Sequence, residues 1–185
     1  DIDLEKSKPD VYAGTITETA NGETKLSYKV TVSSKNGWSE KIHIWDGLKP
    51  DSNFTSADYD QTSFKLVKVK GDGTQEEISI TPDFTTKDKS YSKEYTKTFQ
   101  INDLPALEAG ERYELTYDVL TTRTGSATLK NTAKTNDRKE ASKEVTLDGN
   151  RLWKDGHYDE ATKRITWTVT VDNPSASDLT KYVVT

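Results

Sequence analysis

Strict alternation of apolar and polar residues recurs along this chain, and a helical stripe of any length does not. Leu26, Tyr28, Val30 and Val32 alternate with Ser27, Lys29, Thr31 and Ser33, and Tyr113, Leu115, Tyr117 and Val119 repeat the pattern further on. Period two is the signature of a strand with one buried face, because successive side chains of a strand leave on opposite sides. Turn signals punctuate these runs at Asn21-Gly22, Asn36-Gly37, Gly71-Asp72-Gly73 and Gly125. Frequent Thr, nine Tyr and four Trp complete a β-sheet palette. The chain is therefore expected to be all-β, with at most a turn or two of helix.

The same alternation points some polar residues inward. In Leu129 to Thr135 it sends Leu129, Asn131, Ala133 and Thr135 to one face and Lys130, Thr132 and Lys134 to the other. In Ile2 to Lys6 the parity of Ile2 and Leu4 carries on to Lys6, and in Ile42 to Asp46 the parity of Ile42 and Ile44 carries on to Asp46. A buried amide needs partners for both its ends. An inward lysine, aspartate and asparagine on three separate strands form a candidate constellation. Lys8 shares the parity of Lys6 and is its rival as nucleophile, but it sits against Pro9, where the strand should end.

Further strands are expected at Tyr12–Thr19, Phe64–Val69, Glu77–Ile80, Tyr95–Ile101 and around Val145 and Leu147, with Gly47–Asp60 as a polar, solvated loop. Asp148-Gly149-Asn150 is the best boundary, so residues 1–148 should form one elaborated β-sandwich and residues 149–185 the start of a second, similar module. The evidence for the second module is an internal repeat: Ile165–Val171 matches Leu26–Val32, and Leu152-Trp153-Lys154 matches Leu4-Glu5-Lys6. Tyr182–Thr185 lines up with Ile42–Trp45, which makes the second module read as an incomplete opening. Lys154 is then the counterpart of Lys6.

Lys6 on a first strand, Asp46 closing an Ile-x-Ile-x-Asp strand and Asn131 in a late Asn-Thr-Ala strand resemble the isopeptide-forming domains of Gram-positive surface adhesins and fimbrial proteins, the CnaA-like, DE-variant immunoglobulin-fold modules. The resemblance implies an immunoglobulin-like β-sandwich in which Lys6 and Asn131 join covalently, with Asp46 as proton shuttle and Lys154 as the nucleophile of the second module. Residue chemistry agrees with that implication. Burial beside aromatic rings disfavours charge, which lowers the pKa of a lysine and raises that of an aspartate. A neutral amine can attack an amide whose carbonyl accepts a hydrogen bond from a protonated carboxyl. The competing arrangement is a buried Lys6–Asp46 salt bridge with Asn131 as a satisfied neighbour, which costs several kcal/mol per ion in desolvation.

The resemblance implies a structural stalk domain at the outer surface of a Gram-positive cell, with neighbouring domains of the same chain as its partners. The alternative is a ligand-binding adhesin module for an extracellular-matrix protein or glycan, for which Trp38, Tyr59 and Trp153 are the candidate aromatics, although half-buried packing is the expected role of each. A net charge of -5 counts against nucleic acid, and no run is long enough to insert in a membrane as a helix. The absence of cysteine excludes disulfides and thiolate metal sites. His43 and His157 are isolated, and no nucleophile-elbow, zinc or phosphate-loop motif is present. Neither a multiple-turnover enzyme nor a cofactor is expected.

Overall fold

The computed structural model describes residues 1–7, 10–11, 23–85, 94–136, 139–149 and 151–172. Its strands are β1 (Asp3–Lys6), β2 (Asp10–Val11), β3 (Thr24–Ser33), β4 (Ile42–Pro50), β5 (Phe54–Tyr59), β6 (Lys65–Val69), β7 (Gln75–Ile78), β8 (Lys97–Leu104), β9 (Arg112–Arg123), β10 (Ala127–Thr135), β11 (Glu140–Leu147), β12 (Arg151–Asp159) and β13 (Arg164–Asp172). No helix occurs among the described residues. The Tyr12–Thr19 strand, Lys8 with Pro9, and Tyr182–Thr185 lie outside them.

Two antiparallel sheets pack face to face. One runs β1-β3-β9-β6-β7, with β2 beside β1 along β3 and β5 beside β6 along β9; the other runs β11-β10-β4-β8. In order of pairing this is the immunoglobulin arrangement, with β1, β3, β9 and β5 on one sheet and β11, β10 and β4 on the other. The chain between β5 and β9 supplies β6, β7 and the added edge β8, an insertion between the fourth and fifth strands of the basic fold.

Period-two parity builds the core between the sheets. Leu26, Tyr28, Val30 and Val32 of β3 meet Ile42, Ile44 and Leu48 of β4 and Leu129 and Ala133 of β10, all buried. Burial of this apolar surface, at about 25 cal/mol per Å², is the main force holding the sheets together.

Two expectations need correction. Gly47–Asp60 is not a solvated loop: β4 runs on to Pro50, and β5 occupies Phe54–Tyr59. Gly47 and Pro50 look like strand breakers, yet Gly47 lies inside β4 because a Cβ there would meet the Trp45 and Tyr95 rings at 2.6 and 2.8 Å. β5 is hidden in the sequence by a register shift between Phe54 and Ser56, which puts its inward residues Phe54, Ala57 and Tyr59 out of strict alternation. Second, β8 runs from Lys97 to Leu104, past the expected end at Ile101.

β12 and β13 form a separate two-stranded sheet. Ile165, Trp167 and Val169 of β13 are 59%, 58% and 42% exposed, whereas their sequence counterparts Leu26, Tyr28 and Val30 are buried. The difference is the second sheet, which covers one set and not the other.

Gly37 tests the loop that follows β3. Its φ is +80°, and a Cβ would approach the Leu107 carbonyl oxygen to 2.9 Å. Gly37→Ala should therefore cost about 1–3 kcal/mol, read as a lower urea midpoint with an unchanged slope.

Candidate functional site

Lys6, Asp46 and Asn131 arrive in the core on three strands. Lys6 ends β1 opposite Val30, Asp46 lies mid-β4 opposite Ala133, and Asn131 lies mid-β10 opposite Leu48. All three are buried, at 5%, 0% and 0% exposure. β1 belongs to one sheet and β4 and β10 to the other, so the site spans the sandwich.

Lys6 Nζ donates to Asp46 Oδ2 at 2.6 Å and to the Tyr117 hydroxyl at 2.6 Å. Tyr117 donates to Asp46 Oδ2 at 2.8 Å and accepts from Asn131 Nδ2 at 3.1 Å. The Tyr59 hydroxyl donates to Asp46 Oδ1 at 2.8 Å. Asn131 Oδ1 is buried with no hydrogen-bond partner. An orphaned buried carbonyl costs about 1–3 kcal/mol and requires an explanation.

Aromatic rings enclose the cluster. Tyr117 stacks on Tyr28 and Phe64 with centroids 5.7 and 5.2 Å away, and meets Phe99 and Tyr59 edge-on at 5.2 and 5.7 Å. The Lys6 ammonium position lies 4.9 Å from the Tyr28 ring centre. With water excluded, desolvation lowers the pKa of Lys6 more than the Asp46 charge and hydrogen bond raise it. Desolvation likewise raises the pKa of Asp46 against the opposing pull of Lys6 and the two phenols. Both shifts favour a neutral amine beside a protonated carboxyl. The Tyr59 and Tyr117 phenols are held well above their ordinary pKa by burial and by Asp46, which keeps them protonated.

The three side chains that parity pointed inward do meet in the core, but their connection differs from expectation. No hydrogen bond runs from Asp46 to the Asn131 carbonyl; Tyr117 stands between them, and it touches the amide nitrogen. The register explains this, since Asp46 faces Ala133 and Asn131 is one inward position further along β10. Diagonal partners in a sheet are about 7–8 Å apart, room that a ring from the opposite sheet can fill. Tyr117 was legible as a core residue of β9, but nothing in its spacing marked its hydroxyl. Tyr59, expected to be half-buried in packing with an exposed ligand-binding role as the alternative, is buried in the site. Trp38 packs against the core, and the Trp153 side chain lies outside the described residues.

Lys154 is exposed, with Nζ 4.3 Å from the Trp167 ring centre. Its surroundings match those of Lys6 in two respects. Lys154 pairs with Val169 as Lys6 pairs with Val30, and Trp167 occupies the position of Tyr28. Among the described residues neither a carboxylate nor an amide meets it. No group of metal-ligating side chains and no helix able to cross a membrane occurs among the described residues.

No family model matches the chain, and no curated protein matches it in sequence. Solved structures do match. The backbone protein of the group B streptococcus pilus 2b is 13% identical with a TM-score of 0.45, over 92% of this chain and 77% of that one. The full-length major pilin of Corynebacterium diphtheriae is 14% identical with a TM-score of 0.42, over 90% of this chain and 40% of that one. A carbohydrate-binding module domain from the Clostridium thermocellum cellulosome scaffoldin is 12% identical with a TM-score of 0.35, over 77% and 71%. These are likenesses of the chain trace; the functional reading rests on the side chains.

The burial of Asp46 predicts a pH dependence. In Lys6→Met the carboxyl loses the amine that opposes its desolvation and stays protonated in the fold above its ordinary pKa of about 4. The native state then holds a proton that the unfolded chain has released, so stability falls as pH rises from about 4, by up to about 1.4 kcal/mol per pH unit, until Asp46 ionises in the fold. Urea titrations across this range should show the slope in Lys6→Met and not in Lys6→Met/Asp46→Asn.

Proposed function

We propose that residues 1–148 are a structural stalk domain of a bacterial cell-surface adhesin or pilus-like protein, displayed outside a Gram-positive cell and stabilised by an autocatalytic Lys6–Asn131 isopeptide bond. The observation that carries this reading is the convergence of Lys6, Asp46 and Asn131 on one hydroxyl inside a site closed to water. A salt bridge alone explains Lys6 and Asp46, but it leaves an amide buried with its carbonyl unpaired.

The chemistry needs no cofactor. Lys6 Nζ attacks the Asn131 side-chain carbonyl carbon, ammonia leaves, and Asp46 serves as proton shuttle. Folding supplies the rate by holding the reactants together in one geometry. A single turnover in the lifetime of the protein is sufficient. The product replaces a buried amine and a buried primary amide with one secondary amide.

The bond closes a loop of more than a hundred residues, worth about 5 kcal/mol against unfolding by the chain-entropy estimate. In a chain with no cysteine it fills the place of a disulfide without depending on redox conditions. We read the β12–β13 hairpin as the opening of a second module with Lys154 as its nucleophile, on the strength of the shared register. Neighbouring modules of the same chain are then the immediate partners. Ligand capture from extracellular matrix or glycans is the weaker reading, because Trp38 and Tyr59 are packed inward.

Intact mass of the denatured protein tests the proposal. The wild type should be light by one ammonia and not two, and Lys6→Ala, Asp46→Ala and Asn131→Ala should each have the full sequence mass. A full sequence mass for the folded wild type would remove the isopeptide reading. Thermal melts should also place Asn131→Ala below the wild type by about 5 kcal/mol of stability.

A further inference from the structure

The structure makes Tyr117, and not Asp46, the group in contact with both reacting nitrogens. Its hydroxyl is 2.6 Å from Lys6 Nζ and 3.1 Å from Asn131 Nδ2, while Asp46 reaches Lys6 directly and Asn131 only through that hydroxyl. We propose that Tyr117 is a catalytic residue of the cross-link, its hydroxyl passing a proton from Asp46 to the leaving nitrogen of Asn131. This proposal rests on the isopeptide reading above.

The step balances as follows. The lone pair of neutral Lys6 Nζ forms a bond to the Asn131 side-chain carbon, and the carbonyl π pair moves to Oδ1. A planar amide nitrogen accepts no hydrogen bond, which is why Nδ2 donates to Tyr117 at rest. Once the carbon is tetrahedral, Nδ2 becomes a basic amine and the Tyr117 hydroxyl turns to donate to it. The bond from carbon to Nδ2 then breaks as Nδ2 takes the phenol proton, the phenol takes the Asp46 proton, and Asp46 takes a proton from Nζ. The Oδ1 pair re-forms the carbonyl. Lysine amine and primary amide become secondary amide and ammonia, with Asp46 and Tyr117 restored.

Geometry favours a relay over a passive phenol. Rings on several sides fix Tyr117, and at 1% exposure its hydroxyl has no bulk water with which to exchange protons. The 7–8 Å expected between diagonal positions leaves Asp46 dependent on an intermediary. Tyr59 supplies the internal comparison, since it donates to the other carboxyl oxygen of Asp46 and touches neither nitrogen.

The test is a time course of intact mass on the full chain made by cell-free translation, with aliquots denatured at intervals. General acid–base groups contribute about 10²–10⁴-fold, so Tyr117→Phe should slow ammonia loss by at least about 10²-fold while Tyr59→Phe slows it by less than about tenfold. Both variants keep the ring, and a cooperative urea transition verifies folding. Fluorinated tyrosines at position 117 give a second readout that leaves the packing intact. The rate should rise as the phenol becomes more acidic, whereas a purely structural hydroxyl leaves it unchanged. Ammonia loss at the wild-type rate in folded Tyr117→Phe, or no dependence on phenol acidity, overturns the relay and leaves the isopeptide reading standing. No ammonia loss in the wild type overturns both.

Discussion

A lysine and an aspartate buried together at the centre of a β-sandwich constrain everything around them. Charges taken out of water cost several kcal/mol each unless geometry and hydrogen bonds compensate. Here two phenols donate to the carboxyl and one of them also meets the Asn131 carboxamide, and the direction of both pKa shifts is toward neutrality. The cluster of Tyr28, Tyr59, Phe64, Phe99 and Tyr117 that fills the middle of the core serves two ends at once: its faces supply apolar packing, and two of its hydroxyls satisfy the carboxyl. A purely aliphatic core would strip Asp46 of both phenol donors and leave it only Lys6.

The sequence made half of this site legible. Alternation identifies which face a residue occupies, and that was enough for Lys6, Asp46 and Asn131, and for the inner faces of β3 and β9. Parity says nothing about height along a strand or about which strand of the facing sheet lies opposite. For that reason Tyr117 was visible as core but not as the bridge between Asp46 and Asn131. Tyr59 escaped for a different reason, because the bulge in β5 shifts the alternation on which the reading depends. β4 was cut short because glycine and proline usually end strands. Gly47 does not, since the rings of Trp45 and Tyr95 occupy the space a side chain would need.

The two copies of the opening motif show how far local sequence determines environment. Lys6 and Lys154 share a register, and each sets its amine against an aromatic ring of the neighbouring strand. The strand pair is therefore encoded locally. Burial is not: Val30 is sealed and Val169 is 42% exposed, because β4 and β10 cover the β1–β3 pair and no second sheet among the described residues covers β12 and β13. The proposed chemistry therefore needs the pair of sheets, and the exposed Lys154 lacks that enclosure.

The register between β4 and β10 has one more consequence. A slip of a single residue between strands sends every inward side chain to the opposite face, and such a slip of β10 would turn Asn131 away from Lys6 to the outer face of the sheet and bring Lys130 or Thr132 inward in its place. A misaligned sandwich therefore has no amide to offer the lysine and stays open to unfold and try again. Only the correctly aligned one can form the proposed bond. That bond would write into covalent structure a record that both sheets met in the right alignment, making the alignment permanent while errors stay reversible.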